Sequence, residues 1–189
     1  MIWRLGYMKK LILIIGPHGV GKTTTAKILL QKLSKCAYVD ANWCRAINPF
    51  PFTDATKYAV SQNIYSLFKN YFLCEDIDYV IFPYGFHGER KQIFEQVIRS
   101  LRTDGIPFEV CPIILKSYKE ENIRRAENDG RDLERIERDI KNTFHFYDDY
   151  AYPNIDSTYL QPENVVEKII EMLNILLIFV LFLKPFSHI

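Results

Sequence analysis

The stretch Gly16-Pro17-His18-Gly19-Val20-Gly21-Lys22-Thr23 decides the fold of this chain. It matches the pattern G-x-x-x-x-G-K-[ST], whose glycine-rich backbone forms a cradle for phosphate groups. The residues before it, 11–15, form a short continuous apolar run of the kind found in buried parallel strands. Behind it, Ala26, Leu29, Leu30 and Leu33 share one face of a helix. A strand, a loop and a helix in this order predict a nucleotide-phosphate site.

Within this phosphate loop (residues 16–23), the groups at the fixed positions of the pattern each have a chemical task. We expect Lys22 to reach the β- and γ-phosphates and the Thr23 hydroxyl to hold Mg²⁺. The N-terminus of the following helix adds a positive dipole end to the same place. The predicted nucleotide-binding residues are Gly16, Pro17, His18, Gly19, Val20, Gly21, Lys22, Thr23 and Thr24.

Composition sets the broad class of the protein. The 189 residues suit one domain, with 48% hydrophobic and 25% charged residues, and the net charge of +1 argues against nucleic acid as a partner. Four widely spaced cysteines indicate reduced thiols and a cytoplasmic protein. We expect the domain to span 8–172, with 1–7 as a disordered extension and Met8 as the more natural start.

Strands and helices alternate along the chain, which predicts an α/β fold with three layers and a mostly parallel sheet. The expected strands lie at 11–15, 36–39, 78–82, 108–115 and about 155–158. A loop is expected at 40–52 because of its prolines, and a helix capped by Thr53 or Asp54 follows it. Pro112 predicts a bulge in the fourth strand or an edge position for that strand.

The apolar tail, residues 173–189, extends the last helix, which begins near Pro162. Its run of nine apolar residues at 175–183 is shorter than the roughly 20 that a membrane-spanning helix needs. We expect it to pack on the sheet and to continue into a partner, such as a second copy in a homodimer. A membrane anchor is the alternative.

Asp40 is the carboxylate predicted to take part in chemistry, because it follows the second strand at the ligand-binding end of the sheet. It is expected to orient an acceptor hydroxyl and to hold Mg²⁺, directly or through a bound water. The alternative is a structural Asp that caps the turn after that strand. The third strand ends at Pro83 without the acidic residue that usually assists Mg²⁺ there.

Basic residues cluster on two predicted helices, which the Asp129-Gly130 pair separates. Arginine forks match phosphate oxygens and stabilise the charge of a moving phosphoryl group. The cluster consists of Arg124, Arg125, Arg131, Arg135 and Arg138, of which Arg124, Arg131 and Arg135 are the predicted catalytic members beside Lys22 and Asp40. The alternative is a solvated helix with ion pairs to neighbouring acids.

The acceptor side of the site is expected in the aromatic segment after the second strand and at the end of the third. A flat substrate could stack on aromatic rings beside an arginine, although each ring could equally be part of the core. The predicted acceptor-binding residues are Asp40, Trp43, Arg45, Phe50, Tyr84 and Gly85.

Together these residues resemble the P-loop small-molecule kinases related to nucleoside-monophosphate and shikimate kinases, over roughly residues 9–172. The chain looks most like bacterial nucleotide-kinase-like ATPases, which carry a D-x-D-x-W-like stretch and an Asn-Pro-Phe segment, here residues 40–43 and 48–50. The resemblance implies the strand order 2-3-1-4-5, an arginine-bearing lid at 124–138 and an adenine-side loop at 156–158 that includes Ser157. Asn42 replaces the second acid, and Pro83-Tyr84-Gly85 replaces the triple-glycine loop of shikimate kinases.

The resulting expectation is a phosphotransferase that uses ATP and Mg²⁺ and acts on a small-molecule acceptor, either a nucleotide or a hydroxylated metabolite. Two other classes stay open. One is a nucleotide-binding ATPase or regulatory switch without a small-molecule acceptor, and the other is a membrane-tethered scaffold.

Overall fold

Five parallel strands form the sheet in the computed structural model, which describes residues 8–130 and 132–182. The strand order β2-β3-β1-β4-β5 and the three-layer α/β architecture confirm the prediction. The strands are β1 (Lys9–Ile15), β2 (Cys36–Tyr38), β3 (Tyr79–Pro83), β4 (Phe108–Lys116) and β5 (Asn154–Asp156). The helices are α1 (Lys22–Lys32), α2 (Ala41–Cys44), α3 (Asp54–Leu73), α4 (Glu89–Thr103), α5 (Lys119–Asn128), α6 (Leu133–Thr143) and α7 (Pro162–Phe182).

The central strand β1 is buried on both faces, which explains its unbroken apolar run. Leu11, Leu13 and Ile15 point into one core, which α3 and α4 cover. Ile12 and Ile14 point into the other core, which α1 and α7 cover. The phosphate loop therefore begins at the end of a strand that is held from both sides of the sheet.

The expectation of a bulge or an edge at Pro112 is wrong. The strand β4 lies between β1 and β5, and its pairing with β1 runs without interruption through Leu13 and Pro112. The nitrogen of Ile114 donates to the carbonyl of Pro153, and residues two apart in a strand direct their backbone nitrogens to the same side. Pairing with β5 starts only at Ile114. The missing N–H of Pro112 therefore faces a side with no strand partner.

The segment 40–52, expected as a loop throughout, contains the short helix α2. Asp40 caps it, because its side chain accepts a hydrogen bond from the Asn42 amide at 2.8 Å. The predicted cap of α3 is confirmed: Thr53 and Thr56 form a reciprocal capping box at its N-terminus.

The helices α5 and α6 pair with each other over a small apolar cluster of their own, formed by Ala126, Ile136 and Ile140. They are separated at Gly130, which has a φ of 73°. This pair contains the described part of the segment 124–138, whose role as a lid stays a prediction, and Arg131 lies outside the described residues.

The helix α7 packs against the sheet up to Leu173, which is 2% exposed. The side chains from residue 175 onward, like residues 1–7, lie outside the described part of the chain, so the predicted roles of the tail stay predictions. Among the described residues, no helix is both long enough and apolar enough to cross a membrane.

Candidate functional site

One cavity of about 790 Å³ lies at the carboxyl ends of the strands. The segments that follow all five strands contribute to its wall, as expected for a sheet of this kind. The phosphate loop, α5 and residues 157–162 line one half, which we call the nucleotide half. The other half, the acceptor half, is lined by residues of α2, α3 and α4, by residues 50 and 52, and by residues 83–85.

The phosphate loop requires glycine at two positions, because backbone atoms of neighbouring elements lie very close to them. Gly16 has a φ of 146°, and a Cβ atom there would lie 2.3 Å from the carbonyl oxygen of Leu115. Gly19 has a φ of 79°, and a Cβ atom there would lie 2.4 Å from the carbonyl oxygen of Asn122. Both positions combine a backbone conformation and a close approach that only glycine accepts. The loop is thus shaped by β4 and α5 around it.

Lys22 and Thr23 stand where the pattern predicts them. The Lys22 ammonium donates to the carbonyls of Gly16 at 2.8 Å and Pro17 at 2.7 Å, which holds it across the loop. Thr23 and Thr24 are exposed and line the cavity. These groups fit a nucleotide triphosphate, whose oxygens suit the loop amides and the ammonium.

The fit to Mg²⁺ depends on Thr23. Among the described residues, no three His, Cys, Asp or Glu side chains lie close enough to hold a metal ion together. Mg²⁺ is commonly bound through few protein oxygens and completed by substrate phosphates and water. The Thr23 hydroxyl is the protein oxygen that fits this arrangement here.

Arg125 connects three walls of the nucleotide half. Its guanidinium donates to the Val20 carbonyl at 3.2 Å, to the Ser157 hydroxyl at 3.1 Å and to the Ser157 carbonyl at 2.7 Å. Its Nε donates to Glu121 at 2.7 Å, which fixes the side chain from its own helix. The predicted nucleotide residue Ser157 also donates to the Lys116 carbonyl at 3.0 Å. Arg125 thus ties the phosphate loop to both sides of the nucleotide half.

Of the three arginines predicted to be catalytic, Arg124 lines the cavity. It is exposed and donates twice to Glu121, at 2.7 and 2.8 Å. Hydrogen bonds from Arg124 and then Arg125 lower the pKa of Glu121 to about 2, so this carboxylate stays charged at neutral pH. Arg131 and the side chain of Arg135 lie outside the described residues, and their roles stay predictions.

Asp40 is engaged in local structure. One carboxylate oxygen accepts from the Asn42 amide, and the other accepts from the Tyr38 hydroxyl at 3.1 Å. Burial, followed by the charge of Asp40, raises the pKa of Tyr38. The capping alternative considered for this residue is therefore observed, and Asp40 is not among the residues that line the cavity. Its contact with Mg²⁺ and with an acceptor stays a prediction.

The other predicted acceptor residues divide into two groups. Arg45, Phe50, Tyr84 and Gly85 line the acceptor half of the cavity. Trp43 does not: it is 80% exposed and points away from the lining, because α2 turns its buried side, at Cys44, toward the core. The ring of Phe50 contacts the ring of Phe52, with 5.7 Å between the ring centres.

Residues 86 and 87, between β3 and α4, contact the turn after α6 and the phosphate loop. The rings of His18 and His87 meet edge to face, 5.6 Å apart. Burial, with smaller contributions from Arg90 and Lys22, lowers the pKa of His87 to about 4, so the ring is neutral at physiological pH. The Tyr147 hydroxyl, from the turn after α6, accepts a hydrogen bond from the Phe86 amide at 3.1 Å.

Sequence reasoning missed Arg90 and Tyr147, and it placed Thr158 in the adenine-side loop and Arg125 in the basic cluster without choosing either as a site residue. The Asp156-Ser157-Thr158 stretch carried a local signal, since Asp156 accepts from the Thr158 amide at 2.9 Å in a short turn. The other three residues contact segments outside their own elements. The contact of Arg125 with Val20, for example, joins residues 105 positions apart. No pattern along the chain could have revealed them.

Comparisons with known proteins identify a matching family and several proteins of similar structure. A family model described as "AAA domain" matches residues 12–144. None of the curated proteins compared with the chain matches it. The tunicamycin resistance protein of Deinococcus radiodurans is similar in structure, with a TM-score of 0.60 and 17% identity over 87% of this chain and 95% of that one.

Two solved kinases are similar as well. A gluconokinase from Sinorhizobium meliloti 1021 has a TM-score of 0.65 and 10% identity, over 94% of this chain and 99% of its own. A shikimate kinase from Acinetobacter baumannii, in complex with shikimate, has a TM-score of 0.54 and 16% identity, over 87% of this chain and 93% of its own. At these identities the likeness shows a shared fold.

Proposed function

The chain belongs to the AAA domain family and has the fold of P-loop kinases, and on this premise we propose that it is an ATP-dependent phosphotransferase with a small-molecule acceptor. The observation that carries the proposal is the shape of the cavity. Its wall continues from the phosphate loop past Asn42, Arg45 and Tyr84, which leaves room for a second molecule beside the nucleotide. A protein that only bound a nucleotide would have no need of this half.

The residues of the nucleotide half have distinct tasks in this proposal. The loop amides and Lys22 bind the triphosphate and balance its charge, and Thr23 holds Mg²⁺. ATP supplies the phosphoryl group to be transferred. Arg124, exposed at the mouth of the cavity, stabilises the negative charge that moves during transfer.

Asp40 is proposed to orient the acceptor hydroxyl and to reach Mg²⁺ through water. Its cap at Asn42 and its bond from Tyr38 fix the start of α2, and this helix carries Asn42 and Arg45 to the acceptor half. A substitution of Asp40 is therefore expected to affect the structure at the start of α2 as well as the reaction. An experiment must separate these two effects.

The second candidate is a nucleotide-dependent switch without an acceptor. Two observations favour it: Asp40 is engaged in a cap, and β3 ends at Pro83 rather than at an acid. Such a protein would bind ATP and change shape without transferring the phosphoryl group.

Thermal unfolding with ligands separates the two functions. The protein is measured alone, with Mg–ATP, with GTP, and with a non-hydrolysable ATP analogue plus a panel of nucleotide and hydroxylated acceptors. A phosphotransferase is expected to gain stability from ATP and a further, additive gain from one class of acceptor, since each ligand binds only the folded state. A gain from ATP with no additive acceptor effect would favour the switch, and no gain from ATP would refute both.

A further inference from the structure

A second hollow, which we call the α4 groove, lies on the side of the sheet that α3 and α4 cover. It is lined by residues of α4 together with Phe86, Val110 and Tyr152, and its volume is about 620 Å³. Small-molecule sites in proteins usually measure about 300–1,000 Å³, so the α4 groove is large enough for such a ligand. Among the described lining residues, none lines both this groove and the cavity at the carboxyl ends of the strands.

The α4 groove is apolar at one end and basic at the other. Its lining on α4 includes Phe94, Ile98 and Arg102, which are spaced by four residues and so form one row along the helix. At a rise of 1.5 Å per residue, this row is about 12 Å long. It begins at a buried aromatic ring and ends at an exposed guanidinium.

The apolar end is formed by side chains that pack on the core. Phe86 and Phe94 meet edge to face there, with 5.5 Å between the ring centres. Ile98 continues the same surface along α4, and Val110 and Tyr152 are half-buried beside the core. An apolar body placed in this part of the groove would cover rings and methyl groups, which favours binding.

The basic end holds two arginines on one helix face. Arg99 and Arg102 are three residues apart, both are exposed, and both line the groove. Residues three apart are neighbours on a helix surface, so the two like charges repel each other. The helix dipole favours Arg102 in the last turn of α4 but does not remove this repulsion.

The acids nearest to these arginines in the sequence are paired with lysines. Among the described residues that line the groove, the one acid is Glu95, which lies 3.9 Å from the Lys91 ammonium. Asp104, just after α4, pairs with a lysine of α3 at 2.8 Å. Among the described residues, no carboxylate forms an ion pair with Arg99 or Arg102. A bound anion would offset the charge of both.

We infer that the α4 groove binds a small amphipathic acid, a molecule with one anionic group on an apolar body. The guanidinium groups of Arg99 and Arg102 take the anion, because their forks match the geometry of a carboxylate. The surface formed by Phe94 and Ile98 takes the apolar body. This site is separate from the cavity and does not depend on the proposed function.

The probe is 2-naphthoate, titrated into the full chain by isothermal titration calorimetry at constant ionic strength. Uncharged 2-naphthamide is the matched control, since it has the same rings and lacks the anion. The amide is expected to bind about tenfold or more weakly, because charge-assisted hydrogen bonds are lost. Octanoate is the third ligand, and its affinity relative to 2-naphthoate shows whether the groove prefers an aliphatic or an aromatic body.

Three variants test the basic end. Arg99→Gln and Arg102→Gln are each expected to weaken 2-naphthoate binding about tenfold or more. Thr103→Glu, at an exposed lining position, places a carboxylate beside the arginines and should weaken binding as well. Lys168→Gln, at an exposed position of α7 on the other side of the sheet, is the control for the loss of one positive charge and should bind as wild type does. Melting temperatures close to that of wild type show that the variants fold.

A further variant, Arg45→Gln, checks that the probe does not bind in the cavity instead, since Arg45 lines the cavity. The inference is overturned if this variant loses the affinity for 2-naphthoate while the Arg99 and Arg102 variants keep it. It is also overturned if wild type binds the acid no better than the amide, or binds neither. Sedimentation equilibrium covers the remaining occupant: a dimer that Thr103→Glu dissociates, in a protein that does not bind 2-naphthoate, would assign the groove to a second copy of the chain.

Discussion

Arg125 hydrogen-bonds Ser157 twice, from Nη1 to its hydroxyl at 3.1 Å and from Nη2 to its carbonyl at 2.7 Å. The same guanidinium reaches the Val20 carbonyl in the phosphate loop. A planar fork with several donors can satisfy such partners together, whereas an ammonium cannot. One side chain therefore links α5, the phosphate loop and the segment before α7.

Arg125→Lys is expected to lower stability by about 1.5–3 kcal/mol, because bonds from a charged donor to partly buried acceptors are lost. For a domain of this size, that corresponds to a melting temperature lower by several degrees, at about 2–4 °C per kcal/mol. Arg124→Lys is the matched control, since Arg124 is exposed and its pairing with Glu121 contributes little. Equal losses in the two variants, measured by thermal unfolding, would show that Arg125 has no special structural role.

Lys22→Ala is expected to abolish measurable ATP binding, because the ammonium that lies across the phosphate loop is the charge that faces the triphosphate. Lys27→Ala, on an exposed position of α1, should bind ATP as wild type does. Isothermal titration of both variants with Mg–ATP makes the comparison. An unchanged affinity in the Lys22 variant would remove the phosphate loop from the proposed function.

Two substitutions separate the structural and chemical roles of Asp40. Asp40→Asn keeps an N-cap acceptor for α2 and removes the charge, while Asp40→Ala removes both and should cost about 1 kcal/mol of stability. If the carboxylate orients an acceptor or Mg²⁺, phosphoryl transfer is lost in the Asn variant although its melting temperature is close to that of wild type. Normal transfer in the Asn variant would leave Asp40 with the capping role alone.

His87 is expected to make stability depend on pH. Its pKa in the folded protein is about 4, below the ordinary value of 6.5, so the unfolded chain binds more protons between these values. The contribution of the neutral ring is therefore complete above pH 6.5 and declines as the pH falls toward 4.

Urea unfolding of wild type and His87→Gln between pH 4 and 8 tests this. The difference in free energy of unfolding between them should be constant above pH 7 and should change steadily below 6.5, in the direction of relatively lower wild-type stability. The subtraction removes the titration of carboxylates that both proteins share. A difference that does not vary with pH would mean that His87 titrates normally.

The parts of the molecule that the sequence predicted well are those that neighbouring residues determine. The phosphate loop, the Thr53 cap and the helix face of α1 at Ala26 and Leu29 each depend on residues within a few positions of one another. The strand order agreed as well, and it came from the resemblance to P-loop kinases rather than from any pattern of residues.

The errors have a common physical origin in contacts between distant segments. Pro112 is tolerated in an interior strand because β5 begins two residues too late to need its N–H. Trp43 and Arg45 are two residues apart, but α2 turns one to solvent and the other to the cavity. Arg90 lies in an ordinary amphipathic helix, and its guanidinium packs against the backbone of Gly85, a contact that no pattern in the sequence shows. None of these outcomes can be read from residue type and spacing.

The contacts around Gly16, Gly19 and Val20 have a consequence for the affinity of nucleotide binding. The carbonyls of Leu115 and Asn122 lie close to the two glycines, and Arg125 donates a hydrogen bond to the carbonyl of Val20. The loop is thereby given its shape by neighbouring elements of the folded chain. A triphosphate that enters it meets amides already in position, so little conformational entropy is lost on association, and more of the interaction energy remains as affinity.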